Sequence, residues 1–213
     1  MVRWLGIVAF VGLGLSGTAA GDDYARPGFY VGIGPSYLFE SFSLDSDNLG
    51  LAGVLGSDVD PDYDNSAGVD VKIGYRVSPQ LAAEFLYGFA EGFDSHAGVR
   101  ATEIDVHLVS FNAKWFPLQG DGGSKLQPYG LLGAGTQIVN SEVRDPSIEK
   151  PWSTDAGFVG RFGVGVDYYV TNKFAIELEA SYMLPAGGWV KHTDYASLSL
   201  SFLHRFELLV RSE

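Results

Sequence analysis

Residues 158–184 read FVGRFGVGVDYYVTNKFAIELEASYML, and this stretch decides the fold. Apolar side chains recur at every second position on both sides of Thr171 and Asn172, which predicts two strands joined by a short turn. The apolar positions are Phe158, Phe162, Val164, Val166 and Tyr168, then Phe174, Ile176, Leu178, Ala180 and Tyr182. The positions between them include Arg161, Gly163, Gly165 and Asp167, then Glu177, Glu179 and Ser181. Because successive strand side chains point to opposite faces, one face is apolar and the other polar.

The first twenty residues have the features of an export signal. Arg3 is followed by a short apolar run from Leu5 to Leu15 and by small residues that predict cleavage after Ala20. The run is shorter than the roughly 20 residues that a transmembrane helix needs. Cleavage would leave 193 of the 213 residues and remove one base, changing the formal net charge from −12 to −13. We predict a signal peptide at 1–20 and one exported barrel domain at 21–213.

Composition excludes several classes of protein. The excess of acidic residues argues against a nucleic-acid partner, because binding to phosphates requires basic patches. The chain has no cysteine, so it can form neither disulfides nor thiolate metal sites. An aromatic content of 14% is too high for a disordered acidic chain.

Eight segments alternate apolar and polar residues, and each is near the ~9–11 residues with which a tilted strand crosses a bilayer. They are 28–39, 67–77, 80–90, 102–116, 126–138, 156–170, 173–184 and 194–207. Short connections around 78–79, 118–124 and 171–172 alternate with longer ones at 40–66, 91–101, 140–155 and 185–193. This alternation is typical of membrane barrels with short periplasmic turns and longer external loops. With the export signal, this pattern predicts an apolar face toward lipid and a polar face toward a narrow lumen. The predicted fold class is all-β, an eight-stranded antiparallel up-and-down transmembrane β-barrel. A soluble lipocalin-like barrel is the alternative, but it would need an apolar cavity.

Two strands have a less regular pattern. In 102–116 the apolar phase changes near Leu108 and Val109, which predicts a bulge there or a strand end outside the bilayer. In 126–138 the pattern favours Leu132 toward lipid with Gly133 and Gly135 inward.

Aromatic residues collect at the predicted strand ends, as in the interfacial girdles of membrane barrels. Those near the short turns are Tyr75, Trp115, Phe116, Tyr129, Tyr168, Tyr169 and Phe174, and those near the long loops are Tyr37, Phe39, Tyr87, Phe89, Tyr182 and Tyr195.

Several motifs together resemble the small outer-membrane β-barrel family that includes the OmpA-type transmembrane domain and the OmpX/Ail-type barrels. They are LAAEF at 81–85, PYGLLGAG at 128–135, GVGVDY at 163–168, AIELE at 175–179 and LSLSF at 198–202. The resemblance implies a monomer in the outer membrane of a Gram-negative-type envelope, in contact with lipid and lipopolysaccharide and folded by the barrel-assembly machinery. That machinery usually reads a final aromatic residue, whereas here Phe206 precedes seven further residues, 207–213. Either strand eight is longer or a short tail follows.

The polar face predicts a network of charges inside the barrel. By alternation it would hold Asp70, Lys72, Arg76, Glu84, Glu103, Asp105, His107, Lys114, Arg161, Asp167, Glu177, Glu179 and Arg205. Seven acids, five bases and a histidine in so narrow a space should form ion pairs and plug the lumen. Arg161 and Arg205 are the predicted basic centre, with Glu84, Glu177 and Glu179 as partners. The inward glycines at 32, 34, 74, 163 and 165 would leave gaps, so a narrow pore stays open as an alternative.

The first long connection carries alternating carboxylates at Asp58, Asp60, Asp62 and Asp64. Such oxygens can gather a divalent cation such as calcium, although the glycine and closing glutamate of an EF-type loop are missing. Solvated acid is the favoured interpretation, with a bridging calcium as the alternative. The sequence predicts no cofactor and no firm metal site.

We interpret the chain as an integral outer-membrane protein with a structural or surface-interaction role, and not as an enzyme. Its external loops would contact lipopolysaccharide, ions, or a ligand on a host or another cell. A porin-like channel for small solutes is the alternative. A lipid-A-modifying enzyme is less supported, because His107 and Ser110 are three residues apart and would lie on opposite strand faces.

Overall fold

A computed structural model describes residues 24–40, 65–97, 100–118, 124–143, 152–186 and 194–206. Eight strands form a closed barrel in which each strand pairs with the next and β1 pairs with β8, all antiparallel. They are β1 Gly28–Glu40, β2 Ser66–Ser78, β3 Leu81–Ala97, β4 Arg100–Trp115, β5 Leu126–Val143, β6 Trp152–Tyr169, β7 Phe174–Pro185 and β8 Tyr195–Arg205. The predicted all-β, eight-stranded barrel is confirmed. Among the described residues, no helix is long and apolar enough to cross a membrane.

The two ends of the barrel differ in their connections. At one end, called the turn end, lie the connections 79–80, 116–125 and 170–173, together with the start of β1 and the end of β8. At the other, called the loop end, lie 41–65, 98–99, 144–151 and 186–194. The predicted loop 91–101 is wrong, because β3 and β4 continue their pairing to Ala97 and Arg100. The predicted loop 140–155 is also too long, since β5 and β6 pair up to Glu142 and Trp152.

The outer face of the barrel is apolar. On the strands, Phe111, Leu132 and Phe158 are each more than 70% exposed. The transfer of such apolar side chains from water into lipid is favourable. An apolar exterior with a polar interior is the arrangement of a transmembrane barrel.

Aromatic residues on the outer face lie at both ends. Near the turn end they are Phe29, Trp115, Tyr168, Phe174 and Phe206, and near the loop end Tyr37, Phe39, Tyr87 and Phe158. Four predicted girdle residues are instead buried inside the barrel: Phe116, Tyr129, Tyr169 and Tyr195. Phe116 and Tyr169 directly follow outward-facing aromatics, and neighbouring strand residues must point to opposite faces.

The interior is arranged in three layers along the barrel axis. An apolar layer fills the turn end, formed by Tyr24, Tyr30, Ala82, Phe116, Tyr129, Leu131, Tyr169, Ala175 and Leu203. A second apolar layer fills the loop end, formed by Leu38, Leu86, Ala90, Val106, Leu108, Val159, Met183 and Tyr195. The inward positions between them are polar, as β7 illustrates with Glu177, Glu179 and Ser181 between Ala175 and Met183. The charged side chains in the middle of the barrel are therefore enclosed between two apolar layers, whereas Arg76, Asp167 and Arg205 are buried among the residues of the turn-end layer.

Two tyrosines fill space that inward glycines would otherwise leave. Tyr30 is the cross-strand partner of Gly74, and Tyr129 is the partner of Gly165. A Cβ at Gly74 would lie 2.1 Å from the Tyr30 ring, and one at Gly165 would lie 2.4 Å from the Tyr129 ring. An aromatic ring over a glycine is a known way of stabilising glycine-containing sheets. The expectation that these glycines leave gaps is wrong at both positions.

We expect Gly74→Ala to destabilise the barrel, because the new methyl group would displace the Tyr30 ring. The cost should be about 1–3 kcal/mol, typical of overpacking. Urea unfolding in lipid vesicles, followed by tryptophan fluorescence, measures it. Gly130→Ala is the matched control, since a Cβ there meets nothing within 4 Å. Equal effects of the two substitutions would show that Gly74 is not needed for the close approach of Tyr30.

Candidate functional site: the charged core of the barrel

Six charged side chains meet between the two apolar layers. This charged core comprises Lys72, Lys114 and Arg161 with Glu84, Glu177 and Glu179, and each residue is at most 2% exposed. The three cations and three carboxylates balance in formal charge. They come from β2, β3, β4, β6 and β7, so the core joins walls of the barrel that are not adjacent in the sheet.

Lys114 is the centre of the charged core. Its Nζ lies 2.5 Å from Glu84 Oε2, 2.6 Å from Glu177 Oε2 and 3.5 Å from Glu179 Oε2. One ammonium group therefore contacts all three carboxylates. A Lys–NH₃⁺ has three donors and no acceptor, so it can interact with several carboxylates at once, and it donates to Glu177 Oε2.

The other two cations bind the carboxylates of β7 from different sides. Lys72 forms an ion pair with Glu177 and lies 3.4 Å from Glu179 Oε1. Arg161 pairs with Glu179 through Nη2, which also donates to Ser181 Oγ at 3.2 Å. Glu177 and Glu179 thus each have at least two cationic partners, which buried carboxylates need to offset the loss of hydration.

Two tyrosines complete the core, and neither was predicted to belong to it. Tyr30 donates its hydroxyl hydrogen to Glu84 Oε2 at 3.0 Å, and Tyr129 donates to Glu179 Oε2 at 2.7 Å. The same two rings cover Gly74 and Gly165. Each of these tyrosines lies opposite a glycine on the neighbouring strand. Such a tyrosine–glycine pair can be recognised in the sequence only when the strand register is known, and the alternation of apolar and polar residues does not give the register.

Three predicted members of the network lie nearer the turn end. Arg76 donates to Gln127 Oε1 at 2.5 Å and to the carbonyl oxygens of Ser78 and Pro79, so it holds the β2–β3 turn. Arg205 Nη1 donates to the carbonyl oxygen of Tyr24 at 2.7 Å. Asp167 lines the same cavity as these two arginines. Arg161 therefore belongs to the basic centre, but the predicted place of Arg205 there is wrong.

Asp105 and His107 do not belong to the interior, contrary to the prediction. They alternate with the buried Val106 and Leu108 and so lie on the outer face. Tyr87 Oη and His107 Nδ1 are 2.9 Å apart. The phase change in 102–116 predicted a bulge near Leu108 or a strand end outside the bilayer. β4 has no bulge there, because its pairing with β5 is continuous from Thr102 to Trp115. The irregularity lies in β3, between Ala90 and Phe93.

The structure does not bring a catalytic pair together at His107. Ser110 is fully buried inside the barrel, where its hydroxyl lies 3.3 Å from Asn112 Oδ1, whereas His107 faces outward. Within the described ranges no cluster of three or more metal-ligating side chains occurs. The predicted cation-binding residues Asp58, Asp60, Asp62 and Asp64 lie outside the described residues, as do residues 1–23, the side chain of Glu103 and the tail 207–213.

Lys114→Met should strongly destabilise the barrel, because it leaves Glu84 and Glu177 without their shared cation. Breaking a buried ion pair by removing one partner costs about 3–5 kcal/mol. Urea unfolding in lipid vesicles measures the change. Adding Glu84→Gln to this variant should recover part of the lost stability, since the unpaired buried carboxylate is removed.

The control is Glu91→Gln, which changes an exposed carboxylate, and its expected effect on the free energy of unfolding is within about 0.5 kcal/mol. If Lys114→Met behaves like this control, the charged core does not contribute to stability.

Comparison with known proteins agrees with this architecture. Residues 8–206 match the family model described as outer membrane protein beta-barrel domain. No curated protein matches the chain. Among solved structures, neisserial surface protein A is similar with a TM-score of 0.57 and 19% identity, covering 85% of this chain and 99% of that one. OprG from Pseudomonas aeruginosa has a TM-score of 0.57 and 13% identity, covering 85% and 97%.

The attachment invasion locus protein Ail of Yersinia pestis is also similar. Its structure in complex with the heparin analogue sucrose octasulfate has a TM-score of 0.51 and 16% identity, covering 84% of this chain and 97% of that one. At these identities the likeness to solved structures concerns the fold, whereas the family match extends over nearly the whole chain. The chain belongs to the outer membrane protein β-barrel domain family and is a protein of the bacterial outer membrane.

Proposed function

We propose that this protein is a sealed, non-enzymatic scaffold that presents its loop end to the outside of the cell. There it would contact lipopolysaccharide, divalent ions or the surface of another cell. The observation that supports the proposal is the filling of the barrel interior. The charged core is neutral in formal charge, and its six members are buried between two apolar layers.

The packing of the interior counts against a porin-like channel. Conduction requires a continuous path of water, and an apolar constriction excludes water from a narrow pore. The cavity at the loop end is about 20 Å³ and the one at the turn end about 10 Å³, space for about one water molecule each. The rings of Tyr30 and Tyr129 occupy the space beside Gly74 and Gly165.

The acidic character of the chain suggests what the loop end would bind. The net charge is −12, and the connection 41–65 contains the four alternating aspartates at 58, 60, 62 and 64. A surface of this kind repels anionic partners unless divalent cations bridge the two. Calcium between these carboxylates and the phosphates of lipopolysaccharide is therefore the contact that we favour.

Measuring conductance in a planar bilayer distinguishes a sealed scaffold from a porin-like channel. We expect the refolded protein to give no current steps, because the two apolar layers interrupt any path for ions. A gel-mobility shift on heating should verify that the inserted protein is a folded barrel. Discrete, salt-dependent steps that change with Arg161→Met or Glu177→Gln would contradict the proposal and identify a small porin.

Replacing the four aspartates Asp58, Asp60, Asp62 and Asp64 with asparagine tests the surface role. We expect calcium-dependent binding to vesicles of purified lipopolysaccharide to fall by about tenfold, since the carboxylate ligands of a hard cation are lost. Unfolding in urea should be unchanged within about 0.5 kcal/mol. Glu91→Gln is the control that removes an exposed carboxylate elsewhere. Binding that survives the four substitutions, or that does not need calcium, would argue against this contact.

The mass of lipid A tests the non-enzymatic part of the proposal. Cells that overproduce the protein should contain lipid A of unchanged mass, because Ser110 and His107 lie on opposite faces of the β4 wall. A new lipid A species that disappears with His107→Ala would show that the protein is an enzyme.

A further inference from the structure

We propose that Tyr24 and Ala25 form a plug that closes the turn end of the barrel. The two residues precede β1, which begins at Gly28, and they belong to no strand. Even so, Tyr24 is 6% exposed and Ala25 is 1% exposed, which is as buried as the members of the apolar layers. Tyr24 packs with the inward side chains of the turn-end layer, among them Phe116 and Tyr169, which places it in the mouth of the barrel.

Side chains from three parts of the barrel hold Tyr24. The ring of Tyr24 lies 5.6 Å from the ring of Tyr169, the last residue of β6. Arg205, the last residue of β8, donates to the Tyr24 carbonyl oxygen at 2.7 Å. Lys125, just before β5, places its Nζ 5.8 Å from the Tyr24 ring centroid. Because these contacts come from separate strands, the plug spans the mouth instead of following one wall.

The local sequence favours this path of the chain. Pro27 has a fixed φ near −65°, and it also restricts Arg26 to extended backbone conformations. The two residues lie between the plug and the first strand residue, Gly28. A short, stiff connection limits the positions that Tyr24 can reach and so lowers the entropy lost when it binds in the mouth.

The plug covers a part of the interior that water would otherwise reach. Tyr169 and Arg205, which contact Tyr24, also line the turn-end cavity, together with Arg76 and Asp167. Asp167 Oδ1 is buried there without a hydrogen-bond partner among the described residues. Opening the mouth would hydrate this carboxylate and the arginines near it.

The plug is suited to move separately from the sheet. Local opening costs the least free energy where a segment has few contacts to neighbouring elements, whereas a barrel strand pairs along its whole length on both sides. With the predicted cleavage after Ala20, only residues 21–23 would precede Tyr24 in the exported chain. The plug would thus control access from the periplasm to the turn end, independently of the loop end.

Thiol labelling tests the plug, because the chain has no cysteine of its own. Ala175→Cys places a reporter in the turn-end layer, and Ala90→Cys places one in the loop-end layer. In the refolded full mature chain, adding Tyr24→Ala should raise the rate of labelling of the first reporter by about tenfold or more. Tyr24→Phe, which keeps the ring, should leave this rate unchanged.

The loop-end reporter is the control for general loosening of the barrel. Its rate of labelling should not change with Tyr24→Ala. If the Ala175→Cys thiol labels at the same rate with Tyr24 and with Tyr24→Ala, or if both reporters respond equally, the plug is not what closes the turn end.

A second comparison does not depend on the stability of the alanine variant. The Ala25→Cys thiol, which leaves the Tyr24 ring in place, should label at least about tenfold more slowly than the Pro27→Cys thiol, because Ala25 is buried and Pro27 is exposed. Equal rates would show that this segment does not occupy the mouth, and would overturn the proposal even if the Tyr24→Ala variant failed to fold.

Discussion

The contact of Lys114 with Glu84, Glu177 and Glu179 is the interaction on which the rest of the interior depends. A barrel in lipid must place its polar side chains inward, because the outward positions face hydrocarbon. Eight strands leave an interior just wide enough to be filled by side chains, so inward charges cannot keep a full hydration shell. They must then pair with one another. Equal numbers of cations and carboxylates in the charged core satisfy that requirement without an ion from solution.

The placement of glycine follows from the same lack of space. The rings of two inward tyrosines fit inside the narrow barrel because the facing strand position has no side chain. Gly74 and Gly165 supply that space to Tyr30 and Tyr129, and the two hydroxyl groups in turn reach Glu84 and Glu179. Apolar packing and the charged core are therefore coupled through the tyrosines. Each ring fills a volume in the turn-end layer and donates a hydrogen bond to the layer next to it.

The periodicity of the sequence predicts the fold and much of the charged core, because alternation with a period of two is a strong local signal. It correctly predicted Leu132 outward and brought Lys72, Glu177 and Glu179 to one face. It failed in β4, where apolar inward residues such as Val106 and Leu108 look like lipid-facing ones. The apolar layer inside the barrel and the lipid outside it both favour apolar side chains. Only the pairing of β4 with β3 and β5 shows which apolar residues of β4 point inward. The buried Tyr169 was misassigned for a similar reason, since an aromatic at a strand end suits either face.

An interior filled in this way constrains where function can vary. Removing one charge from the charged core leaves an opposite charge without a partner, at a cost of about 3–5 kcal/mol. That is a large part of the stability of a typical domain. Residues on the lipid-facing wall are constrained to be apolar. The two ends carry neither constraint, and they differ from each other: the loop end has the longest connection, 41–65, while the turn end holds Tyr24 against Tyr169 and Arg205. The functions that we propose follow this division: recognition at the loop end, and control of access to the interior at the turn end.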